Sequence, residues 1–360
     1  MKNKINLYLC GGGAINMYNK ELNKIEDYGD GFADIAPFYL DTSDSNMLDK
    51  NNDAFFKFNK DDSANSQIDG SGGERSYNAK YILNGVDGFL NDFNIHKSDN
   101  STFHIVAFTA SGGSGAVIGP VLVKKLMELD LPVIVMMVGD SRSSIYTINT
   151  LNVIATLNNF ALNANKLLNI IYRTNDIEVV AGDNVENVIN IHMRNILTAL
   201  AAFLSGEHVG IDNQDMVNMF TQTNYRTITV EPGLGGIDIM TNGYMLPTEH
   251  RLIGTRTIYS DENNKDFIVS VEDVASENGI KEVAPRVHHF KHAKITNENI
   301  VKLYNKNLPL HLYTYYGQFD KEEQDLKEMA DTTYEVMEST VNKKISGSSR
   351  STVTDDGLVF

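Results

Sequence analysis

Four short stretches stand out, three combining glycine with small hydroxyl or amide side chains and LDTSDSN polar without glycine: CGGGAIN (10–16), LDTSDSN (40–46), DGSGGERS (69–76) and TASGGSG (109–115). Glycine is costly in regular structure, so such clusters mark places where backbone turns tightly or something approaches it closely. The first and the last follow an apolar run and precede an apolar-periodic one, which is strand–loop–helix context. A helix that begins at such a loop offers free N–H groups and a favourable dipole to an anion, commonly a phosphate. One such loop could be a plain turn. Three glycine-rich loops exceed what turn chemistry needs. The chemistry implied is phosphate binding by backbone at Gly11, Gly12 and Gly13 and again at Gly112, Gly113 and Gly115, with Ser111 and Ser114 in the second loop and the Ser114 hydroxyl as an added donor. A second candidate group is Asp212 and Asp215 in GIDNQDMVNMF (210–220). Aspartates at i and i+3 before a helix start cap free N–H groups, and taken alone that is their reading.

The elements that must position these loops follow from apolar pattern. KINLYLC (4–10), APFYLDTSDSNM (36–47, ending in a polar turn), FHIVAFTA (103–110) and LPVIVMMVGD (131–140) read as strands, the last covered on both faces. Helices are expected from the first glycine loop, over 75–93, over 116–130, over the run 150–172 and over NVENVINIHMRNILTALAAFLSG (184–206). Alternating strands and helices imply a mostly parallel α/β sheet. After residue 222 strand-like pieces dominate, and a charged helix is expected over 320–345, followed by a polar tail. The chain therefore divides as 1–220, a nucleotide-binding unit with the long central helix; 221–319, a smaller α+β unit; and 320–360, charged helix and tail.

Composition narrows the function classes. The chain has 360 residues, 42% hydrophobic, enough for a real core. A net charge of −16 argues against nonspecific binding to nucleic acid or anionic membrane. The single cysteine, Cys10, gives no disulfide framework and points to a reducing compartment. No stretch has membrane-spanning length, and the apolar part of MKNKINLYLC is too short for a signal peptide. RVHHFKH (286–292) holds His288, His289 and His292, but in a strand adjacent histidines face opposite sides, so a surface role is expected rather than zinc. A dinucleotide dehydrogenase is the obvious comparison, yet CGGGAIN is not G-x-G-x-x-G and no acid stands at the expected distance. A P-loop fails too, since neither glycine loop carries the lysine.

The chain resembles the tubulin/FtsZ superfamily. TASGGSG stands where that family has GGGTG[ST]G, matching at Gly113-Ser114-Gly115 and departing at Thr109-Ala110-Ser111-Gly112. GGGAIN is similar to the family's first phosphate loop, and GSGGERSYNA (70–79) to the loop that senses the terminal phosphate. GIDNQDMVNMF resembles N-x-D-F-A-D-V of FtsZ, with both aspartates at their spacing and Gly210 for the asparagine. The divergence and the charged helix with its tail suit the bacteriophage branch.

The resemblance implies a GTPase with GTP/GDP and Mg²⁺ as ligands that polymerises head to tail in the cytoplasm of a bacterial host cell. Asp212 and Asp215 would then complete hydrolysis in the neighbouring subunit's site. Thr42, Ser43 and Asp44 lie where the family holds phosphate and metal, Asp44 as a magnesium ligand alongside nucleotide and water. Gly72 and Gly73 would let the third loop close on the terminal phosphate. Asn16, and either Asn187 or Asn190, are candidates for the base, because an amide pairs with a donor and an acceptor edge of guanine. Arg142 is a candidate for ribose or phosphate. The tail, ending in Asp355, Asp356, Leu358, Val359 and Phe360, is expected to dock on the adjacent subunit. Two alternatives stay open: a nucleotide-binding filament scaffold without turnover, because the signature glycines are altered, and an NAD-dependent oxidoreductase.

Overall fold

The computed structural model describes residues 3–28, 31–58, 70–73, 75–76, 79–95, 102–180, 183–205, 208–221, 231–241, 251–259, 289–304, 310–320, 322–329, 353–354 and 356–359. The first half alternates as the sequence pattern requires. Strand β1 (Lys4–Cys10) runs into α1 (Gly11–Lys20) and a 3-10 turn (Leu22–Tyr28); β2 (Asp34–Asp41) and β3 (Phe55–Lys57) precede α2 (Ala79–Asp92). Then come β4 (Thr102–Thr109), α3 (Gly115–Glu128), β5 (Val133–Gly139), α4 (Ser144–Ala164), β6 (Leu167–Thr174) and the central helix α5 (Val185–Phe203). The second half holds β7 (His208–Val209), α6 (Asn213–Thr221), β8 (Gly233–Thr241), β9 (Arg251–Tyr259), β10 (His289–Ile295), α7 (Glu298–Tyr304) and β11 (Leu310–Tyr316). Residues 318–320 and 322–329 are helical, and the rest of the expected charged helix lies outside the described residues.

One sheet carries all these strands, in the order β3-β2-β1-β4-β5-β6-β8-β11-β9-β10-β7. From β3 to β8 every neighbour pair is parallel. Beyond β8 the sheet is mixed, with β11 antiparallel to both β8 and β9. The parallel part has the doubly wound order, and the chain reverses its direction of growth between β1 and β4. Register places Cys10 opposite both Leu40 and Phe108. The loops leaving β1, β2 and β4 are therefore brought to one edge, at the switch point where doubly wound sheets open a crevice.

Alternation along β4 builds the two layers. Ile105 and Ala107 face the layer with α5, including Met193 and Leu197. Val106 and Phe108 face the layer with α2, α3 and α4. All seven residues of β5 are buried, as its unbroken apolar run predicts.

Two expectations are corrected. The run 150–172 is not one helix: α4 stops at Ala164, Asn165 takes the left-handed conformation (φ 52°), and the chain turns into β6. The Asn165 and Lys166 amides close the helix end on the Leu162 and Ala161 carbonyls at 3.0 Å each. The Leu and Ile spacing of KLLNIIY fits either period over so short a span. Strand β8, with its three glycines, lacked a strand signal; at Gly236 a side chain would meet the Tyr315 ring at 2.4 Å, so close packing excludes one.

Candidate functional site

Loops from β1 and β4 interlock through glycine. A Cβ on Gly11 would lie 2.5 Å from the Gly115 amide nitrogen, and one on Gly115 would lie 2.5 Å from the Cys10 carbonyl oxygen. Gly11 also has φ +79°, which L side chains rarely adopt. Beside this contact is a cavity of about 250 Å³ lined by both loops and by Asp41, Ser43, Ser45 and Asn46 of the loop after β2, with Gly70 and Ser71 of the third loop. Helices α1 and α3 begin at its wall, and neither N-cap side chain, Cys10 or Ser114, caps its own helix. The starts of α4 and α5 are capped by contrast: Ser143 accepts from Tyr146 in α4, and Asn184 accepts from Glu186 and Asn187 in α5. Two helix starts without a side-chain cap converge on a glycine wall, which is the arrangement that receives a phosphate through backbone N–H groups.

Side chains fix the loops around the cavity. Thr42 Oγ1 and Ser114 Oγ are 2.6 Å apart and buried, tying the β2 loop to the β4 loop. Asn149 of α4 donates through Nδ2 to the Ser111 carbonyl at 2.9 Å and to the Gly73 carbonyl at 3.3 Å, tying the β4 loop to the third loop. Asn46 packs over Gly12, where a Cβ would meet its amide nitrogen at 2.2 Å, and Asn46 Oδ1 accepts from Asn16 Nδ2 at 3.0 Å. Asp41 is the carboxylate among the described lining residues; it is buried, and its Oδ1 accepts the Thr42 amide at 2.7 Å. Burial pushes the Cys10 thiol well above its ordinary pKa, and the nearby Asp41 charge pushes it further, so Cys10 is no nucleophile here.

No protein-family model matches the chain. A phage tubulin-like protein of Pseudomonas phage PhiPA3 is 27% identical over 198 residues, covering 54% of this chain and 59% of that relative. The protofilament of TubZ from bacteriophage PhiKZ superposes with a TM-score of 0.70 at 18% identity, covering 99% of both chains. The phage tubulin PhuZ bound to GDP gives 0.67 at 17% identity, again over 99% of both. A GTPgS-bound protofilament of CetZ2 from Haloferax volcanii gives 0.63 at 14% identity, covering 92% of this chain and 99% of that one. The chain has the tubulin/FtsZ fold.

Within this tubulin-like fold the sequence-selected residues separate into groups. Gly11, Gly12, Gly13, Ser43, Gly112, Gly113, Ser114 and Gly115 line the cavity. Thr42 and Ser111 stand behind it through the bonds described above. Gly72 and Gly73, at φ +62° and +86°, form the turn of the third loop, whose Gly70 and Ser71 do the lining. A Cβ on Gly113 would lie 2.0 Å from Ser71 Oγ, so the two loops touch there. Asn16 is exposed on α1; Asn187 is exposed and Asn190 buried on α5, and none of the three lines the cavity. Asp44 does not line it either: its carboxylate pairs with Lys50 at 3.1 Å, and the carboxylate that does line it is Asp41, where β2 ends. Arg142 turns back on Asp140, donating from Nε at 3.0 Å to each carboxylate oxygen. Burial alone would raise the Asp140 pKa, but hydrogen bonds from Arg142 and Asn175 outweigh it and hold the group below the ordinary range.

Asp212 and Asp215 sit at the start of α6, Asp212 exposed and Asp215 half-buried, and neither lines the cavity of its own chain. Part of the tail packs on its own chain in the free subunit. Leu358 is fully buried in its own chain among α3 and α4, and the Asp356 carbonyl accepts from Lys124 Nζ at 3.2 Å. The groove supplies these residues with both apolar surroundings and backbone partners within the free chain. Asp355 and Phe360 lie outside the described residues, as do the side chains of His288, His289 and His292. Sequence reasoning missed Asp41, Asn46, Gly70 and Asn149. A glycine carrying φ +88° before Ser71 was visible as part of GSGG; Asn149, inside a helix, gave no signal.

Proposed function

We propose that the cavity holds the phosphates of a guanine nucleotide and that the chain is a GTPase of filament-forming, tubulin-like type. The observation that carries this is the pair of helix starts, α1 and α3, left without side-chain caps and meeting at a glycine-lined cavity on the sheet's switch point. Guanine is favoured because the similar PhuZ structure holds GDP and the CetZ2 one GTPgS. No lysine or arginine is among the described lining residues, so the charge of the phosphates falls to backbone dipoles and a cation. Asp41 and Ser43 supply hard oxygen donors that fit Mg²⁺, which would be held mostly by nucleotide and water and would neutralise phosphate charge. The order of events at the chain's own residues is binding by the loops, closure of the third loop at Gly70 and Ser71, and then attack by water.

Among the described lining residues the one carboxylate, Asp41, is assigned to the cation, which leaves that last step without a base. Asp212, exposed, and Asp215, half-buried, stand at the start of α6 and are suited to orient the attacking water in the next subunit's cavity when copies stack head to tail. A head-to-tail contact that does not close gives an open filament. Splitting the site between copies makes hydrolysis wait for assembly.

Nucleotide released from denatured protein, identified by mass spectrometry, tests the ligand. Light scattering and phosphate release with GTP, GDP and a slowly hydrolysed analogue test the rest. GTP-dependent assembly with phosphate release supports the reading. Assembly without phosphate release reduces the chain to a scaffold, and bound NAD in place of guanine nucleotide overturns it.

A further inference from the structure

Near the C-terminus, residues 353–354 and 356–359 are built into the fold as a small hairpin. The Thr354 amide donates to the Leu358 carbonyl at 2.9 Å, the Gly357 amide to the Thr354 carbonyl at 2.8 Å, and Val353 bridges Val359. Gly357 at φ +82° makes the turn, with the Phe160 ring 3.2 Å from where its Cβ would be. The Val359 amide donates to Thr156 Oγ1 at 2.9 Å. Its carbonyl accepts from Arg75 Nη1 at 2.6 Å.

Arg75 gives that bond a reach beyond anchoring. It belongs to the third loop, the one whose Gly70 and Ser71 line the cavity. Its side chain is buried, and burial lowers its pKa to about 10, so it stays charged at neutral pH. A buried cation needs acceptors. Besides Val359, Arg75 Nε meets the Ala116 carbonyl at 3.4 Å in the first turn of α3. That carbonyl is open to it because Pro120, four residues on inside α3, has no N–H to donate. One guanidinium therefore joins the tail, the first turn of α3 and the loop over the cavity.

We propose that the hairpin is a latch in cis, and that its seating and the filling of the cavity favour each other, with Arg75 as the positioning residue between them. The proposal rests on the cavity being the nucleotide site. With the hairpin seated, Arg75 is anchored, Ser71 and Gly73 stay against Gly113, and Gly70 and Ser71 line the cavity. With the hairpin gone, the guanidinium loses the Val359 carbonyl, and the loop relaxes to regain water in its place. Coupling between two sites is reciprocal, so a filled cavity holds the loop and thereby the hairpin. The acceptor is a backbone carbonyl, so side-chain changes at Val359 leave the link in place; removing the segment breaks it.

The test uses the full chain, a chain ending at residue 352, and Gly357→Val, all below the concentration at which they assemble. Fluorescent GDP is titrated into each, and amide hydrogen exchange at Leu358 and Val359 is followed with and without GDP. Expected are an affinity for GDP about five- to tenfold weaker in both variants, and exchange at Val359 in the full chain slowed by a similar factor on GDP saturation. Equal GDP affinity in all three proteins with unchanged exchange overturns the latch and leaves the nucleotide site standing. Tighter binding by the shortened chain overturns it too, since the tail would then oppose the nucleotide. A full chain that binds neither GDP nor GTP overturns the nucleotide reading and the latch with it. If the shortened chain fails to fold, the exchange measurement on the full chain decides alone.

Discussion

Asp212 and Asp215 cap each other: Asp212 Oδ1 accepts the Asp215 amide at 2.7 Å, and Asp215 Oδ2 accepts the Asp212 amide at 3.3 Å. This reciprocal pair closes the first turn of α6 in the manner of a capping box. Both carboxylates therefore hold a structural task in the free subunit, and an alanine variant mixes that task with any catalytic one. Asparagine separates them, because it caps as well as aspartate but carries no charge.

Asp212→Asn is expected to unfold at nearly the wild-type urea concentration, whereas Asp212→Ala loses about 1 kcal/mol. Assembly-dependent phosphate release is expected to fall at least about tenfold in both, the loss of a base or water-positioning group being worth more than that in general. GDP binding by free subunits should be unchanged. Wild-type phosphate release from assembled Asp212→Asn would leave the residue a helix cap and nothing more.

Gly115 and Gly72 are expected to respond differently to a side chain. A Cβ at Gly115 meets backbone, the Cys10 carbonyl oxygen at 2.5 Å, and backbone cannot swing aside. Gly115→Ala should cost about 1–3 kcal/mol and weaken GDP binding, since it parts the two loops whose helix starts face the cavity. At Gly72 nothing among the described residues lies within 4 Å of a Cβ, and the φ of +62° is what opposes a side chain. Gly72→Asn, a residue that tolerates this conformation, should keep both stability and GDP affinity. Equal losses in the two variants, by urea unfolding and GDP titration, would mean that the interlock of loops is not what shapes the site.

The glycine loops were legible because their demand is local: backbone that must approach backbone excludes a side chain, and the sequence shows that exclusion directly. The long central helix and the buried strand β5 were legible for the same reason, each through a period or a run. What the sequence hid depends on register between distant segments. Asn149 reaches Ser111 and Gly73 only because α4 packs beside both loops, and nothing in SIYTINTLNV marks that asparagine over its neighbours. Asp41 rather than Asp44 faces the cavity because β2 ends one residue before Thr42. The hairpin's apolar end was visible as a docking element, but pattern does not say which chain receives it, and the groove between α3 and α4 of the same chain does.

Asn149→Ala should loosen the third loop without unfolding the sheet. Its Nδ2 serves two carbonyls at once, and truncation leaves buried acceptors short of a donor, a loss of about 1–3 kcal/mol. GDP affinity is expected to fall, with faster amide exchange in the third loop. Asn149→Asp should be worse than alanine, because a carboxylate would face two carbonyl oxygens instead of donating to them. If the aspartate variant binds GDP as well as wild type, the bridge between loops does not hold the site.

Acid should weaken the fold through two buried histidines. Burial lowers the pKa of His104 to about 4, with the Lys4 charge adding to it, and burial alone does the same for His311. Both rings are held neutral in the core: His104 Nδ1 shares a hydrogen bond with the Tyr8 hydroxyl at 2.8 Å, and His311 Nδ1 with Thr257 Oγ1 at 2.9 Å. Unfolded, each takes up its proton near pH 6.5, about 2.5 units earlier than when folded. The unfolded state therefore binds more protons between those limits, and stability, full above about pH 6.5, falls as pH drops toward about 4 and then stops falling from this cause. The contribution is on the order of 3 kcal/mol for each ring at full extent. Urea unfolding between pH 7 and 5, above the range where most carboxylates titrate, isolates it. In His104→Gln the slope of stability against pH over that interval should drop by about half, because one of the two groups no longer titrates. An unchanged slope would mean that His104 takes up its proton in the folded state as readily as in the unfolded one.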